Sequence, residues 1–254
     1  MTMLSAYTRF SSALFKFNFN KNALRSLSRF SSTESIEVEA ESKSKDERSN
    51  LAAPIPVYEL RIYQIFPKDF RKVVELFQKH ITVRTKHSKL VGFWNGEIGG
   101  TITQLIHIWE YDSLSHRRKV RNSMMEDKTW TTVFLPQLLP CMDTWTNCIM
   151  GLVPNTKLNL DFPQEAGAVY MLETVKNANI TKKVISSVKG EHLVGRFIGM
   201  LGPLCTEYRL WRYQTIDIML HAAWNKQLDM HYSHSHDTAG SAVLLYPLGF
   251  SPLH

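Results

Sequence analysis

The residues LVGFWNGEIGG at 90–100 return as LVGRFIGMLG at 193–202, and IWEY at 108–111 returns as LWRY at 210–213. The first pair is 103 residues apart and the second 102, so one residue is lost between the copies. A glycine-punctuated apolar phrase repeated at a near-constant offset marks a duplicated unit. Pro203 stands where the residue is lost, which predicts a bulge or an altered register at that turn.

The order of elements around the phrase is the same in both copies. VYELRIYQIF (57–66) is rich in β-formers and ends at Pro67. After it, Phe70, Val73, Val74, Phe77 and Ile81 fall on one face of a helix, with proline suitably placed in its first turn. LVGFWNGEI and TITQLIHIWEY form a hairpin around Gly99-Gly100, read as a type I′ turn. A helix over 113–134 and a strand over 143–153 complete βαββαβ. The second copy repeats this order: strand 168–175, helix 178–189, hairpin, helix 215–230 and a final strand AVLLYPL. βαββαβ is the split ferredoxin-like motif, which leaves one sheet face without helices. Two such faces can cover each other. The expected fold is therefore α+β, two tandem ferredoxin-like repeats over 54–155 and 156–254. The repeats pair either within one chain or across a dimer.

A two-residue turn at Gly99-Gly100 places Trp94 opposite Leu105 and Gly92 opposite His107. Trp94, Leu105, His107, Trp109 and Tyr111 then share one face, and Arg209, Trp211 and Tyr213 repeat it. That aromatic face is expected at a seam or cleft between the two sheets. The aliphatic face, with Val91, Phe93, Ile106 and Ile108, is expected under the helices. Trp94, His107, Trp109, Tyr111, Arg209 and Trp211 are the ligand-cleft candidates.

Charge narrows the partners. The net charge of +7 comes mainly from residues 1–33, which hold Arg9, Lys16, Lys21, Arg25 and Arg29 and no acid. Beyond them, 25 of the 30 Lys and Arg face all 23 carboxylates. The basic balance thus belongs to a leader with the composition of a mitochondrial presequence, with SRFSS at 28–32 as its processing point. Residues 34–53 form a charged linker with few apolar groups. HRRKVR at 116–121 lacks interleaved aromatics and reads as a solvated helix face, not a nucleic-acid patch. No apolar run is long enough for a membrane-spanning helix. Cys141, Cys148 and Cys205 show no C-x-x-C spacing, so neither a disulfide framework nor a cysteine zinc site is expected.

Several segments carry a family resemblance: YELRIY (58–63), VRTKHSKLVGFW (83–94), IHIWEYD (106–112), HRRKVR (116–121), DKTW (127–130) and LLYPLGFSPL (244–253). The chain resembles the NIPSNAP family, its third vertebrate subtype in particular. Thr103 replaces the asparagine usual in the first hairpin, and GMLGPLC (199–205) lacks the family's acidic-Gly-Leu-Asn pattern. The resemblance implies a mitochondrial protein, matrix most readily, of dimeric α/β-barrel type without a settled catalytic activity. It also implies protein partners such as autophagy adaptors. WTTV at 130–133 is the formal aromatic-x-x-aliphatic docking match, but it falls in an expected helix where Trp130 would pack inward.

No phosphate loop, nucleophile elbow or H-E-x-x-H occurs. His231, His234 and His236 read as a loop and not a metal site, and no cofactor is expected. Arg84 and His87, one turn apart near a helix end, are anion-site candidates. Two functions remain: a noncatalytic adaptor, which is favoured, and a small-molecule or haem-binding barrel, monooxygenase-like, using the cleft between the sheets.

Overall fold

The structure, a computed structural model, describes residues 54–163, 165–177, 188–232 and 240–253, the side chains of 229–232 excepted. The leader, the linker, most of the expected helix over 178–189, and His234 and His236 lie outside the described residues. The first half runs β1 (Val57–Ile65), α1 (Phe70–Thr85), β2 (Lys89–Ile98), β3 (Gln104–Tyr111), α2 (Leu114–Glu126), a π-helical turn (Thr129–Phe134), α3 (Leu135–Leu138) and β4 (Met142–Leu152). The second half runs β5 (Val169–Lys176), β6 (Glu191–Leu201), β7 (Thr206–Tyr213), α4 (Ile216–Tyr232) and β8 (Ser241–Pro247). α4 thus continues through His231, which the sequence placed in a loop.

The eight strands of the described residues pair antiparallel and close into a barrel in the order β1-β3-β2-β8-β5-β7-β6-β4. The halves meet at two seams, β2 with β8 and β4 with β6. Among the described residues, closure leaves no strand edge unpaired.

α1 forms where its apolar spacing predicts, burying Val73, Phe77 and Ile81. α2 starts at Ser113, whose hydroxyl accepts the His116 N–H at 3.0 Å. The single helix expected over 113–134 is corrected: α2 stops at Glu126, because Asp127 turns extended and its carboxylate accepts the Trp130 N–H at 3.0 Å, capping the next turn. Trp130 is buried and stacks on Phe134 at 4.5 Å, so the aromatic residue of WTTV packs inward while Val133 stays exposed.

The predicted register of the first hairpin is also corrected. Trp94 pairs with Ile106, Phe93 with His107 and Gly92 with Ile108. The connection spans five residues, 99–103, and the second one four, 202–205, so the lost residue lies in the turn itself. Gly99 takes a positive φ of 91°, as expected, and Gly100 does not; Thr103 is the other left-handed residue, at 66°. A β-branched residue is unfavourable there. Its hydroxyl offsets the strain by donating to the Ile65 carbonyl at 2.7 Å and accepting from Gln64 Nε2 at 2.9 Å.

Both copies of the repeated phrase contain a β-bulge at the same place, between Leu90 and Gly92 and between Leu193 and Gly195. A Cβ on Gly92 would lie 2.2 Å from the Trp94 ring, and one on Gly195 would lie 2.9 Å from Phe197. The glycine makes room for the aromatic two residues on.

The bulge and the register together reverse the expected faces. Ile106, Ile108, Val91 and Trp94 point into the barrel with Tyr58, Leu60, Tyr170 and Leu210. Leu105, Trp109, Tyr111 and Phe93 lie outside the barrel, packed against Val73, Phe77 and Ile81 of α1. Trp211 and Tyr213 do the same with Ala222 of α4. Of the six cleft candidates, Trp94 alone faces the interior cluster.

Candidate functional site

Strand alternation brings Glu59, Arg61 and Tyr63 of β1 to the same outer face as His107, Trp109 and Tyr111 of β3, directly across the ladder. Three cations converge on Glu59, whose side chain is fully buried. Its Oε1 accepts from Arg61 Nη1 at 2.9 Å, Arg117 Nη2 at 2.7 Å and Asn147 Nδ2 at 2.7 Å. Its Oε2 accepts from the Tyr111 hydroxyl at 3.0 Å and lies 3.8 Å from Arg84 Nη2. Burial would raise the Glu59 carboxyl, but Arg61, Arg117 and Arg84 outweigh it and hold the group well below the usual carboxylate range. An unpaired charge in this place would be costly, so the cluster stands or falls as a unit.

Arg84 donates to the Tyr111 hydroxyl at 2.7 Å and its guanidinium lies 4.0 Å over the Trp109 ring. His107 stacks on Phe93 at 4.5 Å and accepts the Trp109 Nε1–H at its Nδ1, 2.6 Å away. Burial, followed by the nearby Arg61 and Arg84, pushes the imidazole well below its usual pKa, so it is neutral. Indole nitrogen can only donate. The Nδ1 of His107 is therefore unprotonated and its proton sits on Nε2, which is buried and has no partner.

The second half builds a parallel cluster from different strands. Lys226 of α4 lies 3.7 Å over Trp211 and bonds Glu173 at 3.2 Å and Glu191 at 2.7 Å. Tyr213 donates to Glu191 at 3.0 Å and Trp211 to Glu173 at 2.8 Å. Arg209 joins a separate ion cluster in which Glu207 accepts from it at 2.8 Å and from Arg196 at 2.6 Å. Each half thus sets a cation on a tryptophan and a carboxylate on a tyrosine.

Two openings lie beside the first cluster. A groove of about 710 Å³ runs between α2, β4 and the β6–β7 turn, with Arg117 and Asn147 in its wall. These two side chains reach down to Glu59, so Arg117 leaves the solvated face expected for HRRKVR. A second opening of about 570 Å³ is lined by His87, Ser88, Lys89 and His116. The proposed anion pair does not assemble there: Arg84 is buried over Trp109 while His87 lines this opening.

Sequence reasoning missed Glu59, Arg61 and Asn147. The signal was present in β1, where charged residues alternate with Tyr58, Leu60 and Ile62 inside a strand both of whose faces are buried. Alternation in such a strand means a buried ion pair and not a wet face.

The NIPSNAP family model matches residues 58–155, which contain every member of the Glu59 cluster. Over 220 residues, the chain is 31% identical to Protein NipSnap homolog 3A of Homo sapiens, covering 77% of this chain and 85% of that protein. The chain belongs to the NIPSNAP family. Protein NipSnap homolog 3B of Mus musculus is 30% identical over the same shares. Among solved structures, a putative monooxygenase from Fusobacterium nucleatum superposes with a TM-score of 0.57 over 77% of this chain and 93% of its own, at 8% identity. That likeness concerns the barrel fold alone. In this NIPSNAP chain the face under α1 is occupied by rings and ion pairs.

Proposed function

We propose that the protein is a noncatalytic mitochondrial scaffold that holds protein partners, autophagy adaptors among them, in mitochondrial quality control. One observation supports this reading most: the candidate site is closed. Trp94, Trp109 and Trp211 are all fully buried, and each carboxylate of the two clusters is engaged by cations or by Tyr and Trp donors. A general base needs a free lone pair within reach of substrate. The scaffold is read as two tandem ferredoxin-like repeats, 54–155 and 156–254, each with the strand order that closes the barrel through its partner, and as able to self-associate. The leader at 1–33 supports delivery to the matrix.

The competing haem-binding reading turns on His107. A neutral imidazole that accepts at Nδ1 carries its proton on Nε2 and has no lone pair there for iron. One experiment separates the two. Trp109→Ala is expected to cost about 3 to 5 kcal/mol of stability, and haem is expected to leave the melting temperature and its own absorption spectrum unchanged. A stable Trp109→Ala protein that has lost a haem response present in the parent overturns the scaffold in favour of the ligand binder. For delivery, residues 1–50 fused to a fluorescent protein are expected to enter mitochondria; a diffuse cytosolic signal refutes it.

A further inference from the structure

The barrel interior holds a second charged group, on the opposite side of the sheet from the Glu59 cluster. Arg212 pairs across the ladder with Tyr170, so both face inward, and Arg212 is 1% exposed. Its Nη2 donates to the Pro163 carbonyl at 2.9 Å and to the Glu165 carboxylate at 3.0 Å, and its guanidinium lies 5.3 Å over the Phe162 ring. All three partners come from the strap of residues 154–167 that joins the two halves.

Arg212 and the Tyr170 hydroxyl interact with each other, and the fully buried Trp94 Nε1 nearby has no acceptor. The Trp94 and Tyr170 rings are 5.6 Å apart. A buried donor without an acceptor is costly. Arg212, Tyr170 and Trp94 together present donors to a place that suits an oxygen acceptor.

The strap supplies only part of it. Leu158, Leu160 and Phe162 pack on the interior cluster while remaining partly exposed. Among the described residues of 154–167, the backbone bonds barrel strands through the Asn159 N–H, which donates to the Val194 carbonyl at 2.8 Å, and the Pro163 carbonyl, which accepts from Arg212. A segment so lightly tied opens at low cost. To Arg212 the strap presents a carboxylate and an aromatic ring, the two halves of an arylalkyl carboxylic acid.

We propose that the end of the barrel closed by this strap is a binding site for a small apolar carboxylate, with Glu165 and Phe162 as the built-in occupant that the ligand displaces. The ligand carboxylate takes the place of Glu165 on Arg212 and gains Tyr170 and Trp94 as donors; its apolar body replaces Phe162. The site is independent of the scaffold reading, because it uses the inner face of the sheet and makes no chemical change.

The test uses the full chain, 4-phenylbutyrate as probe and its neutral amide as control. Glu165→Gln weakens the built-in occupant without touching the core, and is expected to bind 4-phenylbutyrate about tenfold more tightly than the parent, with no binding of the amide. Arg212→Met is expected to abolish binding. Should that variant fail to fold, amide exchange in the parent decides: the Asn159 N–H is expected to exchange faster when 4-phenylbutyrate is bound. Equal affinity in the parent and Glu165→Gln, binding to neither, equal binding of the amide, or unchanged exchange at Asn159 overturns the proposal.

Discussion

His107 concentrates the residue-scale physics of this fold. It is held neutral among Phe93, Tyr63 and Trp109, with Arg61 and Arg84 adding to the effect of burial. In the unfolded chain an ordinary imidazole takes up a proton near pH 6.5, while the folded protein excludes it. The unfolded state then binds more protons, so stability is complete above about pH 6.5 and falls as pH drops, by up to about 1.4 kcal/mol per unit. Glu59 adds nothing in that window: an unfolded glutamate begins to protonate near pH 4.3, and the folded one lower still. Between pH 6.5 and 5, urea unfolding of His107→Gln is therefore expected to show a flatter pH dependence than the parent, by about that slope. An identical slope would mean that His107 is protonated in the folded protein. The register slip that put His107 here also explains why its role was misread. Sequence paired it with Gly92, which would have aimed it at the other sheet; the structure pairs it with Phe93.

At the scale of the element, the repeated phrase is a bulged strand with an aromatic folded back over its glycine. Gly92→Ala would put a methyl group 2.2 Å from a Trp94 ring that is fully buried and has nowhere to move. The expected cost is about 3 kcal/mol or more, at the upper end of overpacking. Gly96 in the same strand is the control. Its Cβ would meet nothing closer than 3.4 Å, at Gln104 and Ile106, so Gly96→Ala is expected to cost under about 1 kcal/mol. Chemical denaturation of the two variants compares them directly; equal costs would locate the strain in the strand backbone and not in the Trp94 contact. The glycines, the aromatics and the repeat are all visible in sequence. That they spell a bulge is not, because a bulge is defined by the partner strand.

The whole molecule depends on two seams. β2 reaches β8 through Trp94–Pro247 and Asn95–Tyr246, and β4 reaches β6 through Gly151–Ile198 and Leu152–Phe197. Without the second half, both outer strands of the first would lose their partners, and the interior cluster would lose Tyr170, Phe197 and Leu210. Residues 54–155 expressed alone are thus expected to self-associate through these edges, since open edges and an exposed apolar face recruit further copies. Sedimentation equilibrium would check this; a stable monomer would show that one half satisfies itself.

The sequence by itself determined the order of the described strands and the buried stripe of α1 at Val73, Phe77 and Ile81. These rest on local information: propensity, helical period, and proline or glycine at element ends. Only the tertiary structure decided which face of each strand is inside, where Arg84 and Arg117 go, and what Arg212 holds. The reason is physical. In a barrel wrapped by helices both faces of a strand are buried, so alternation marks two faces without saying which is inner, and one extra residue at a bulge exchanges them. Glu59 likewise meets Arg117 and Asn147 from 58 and 88 residues away, at distances that no local pattern encodes.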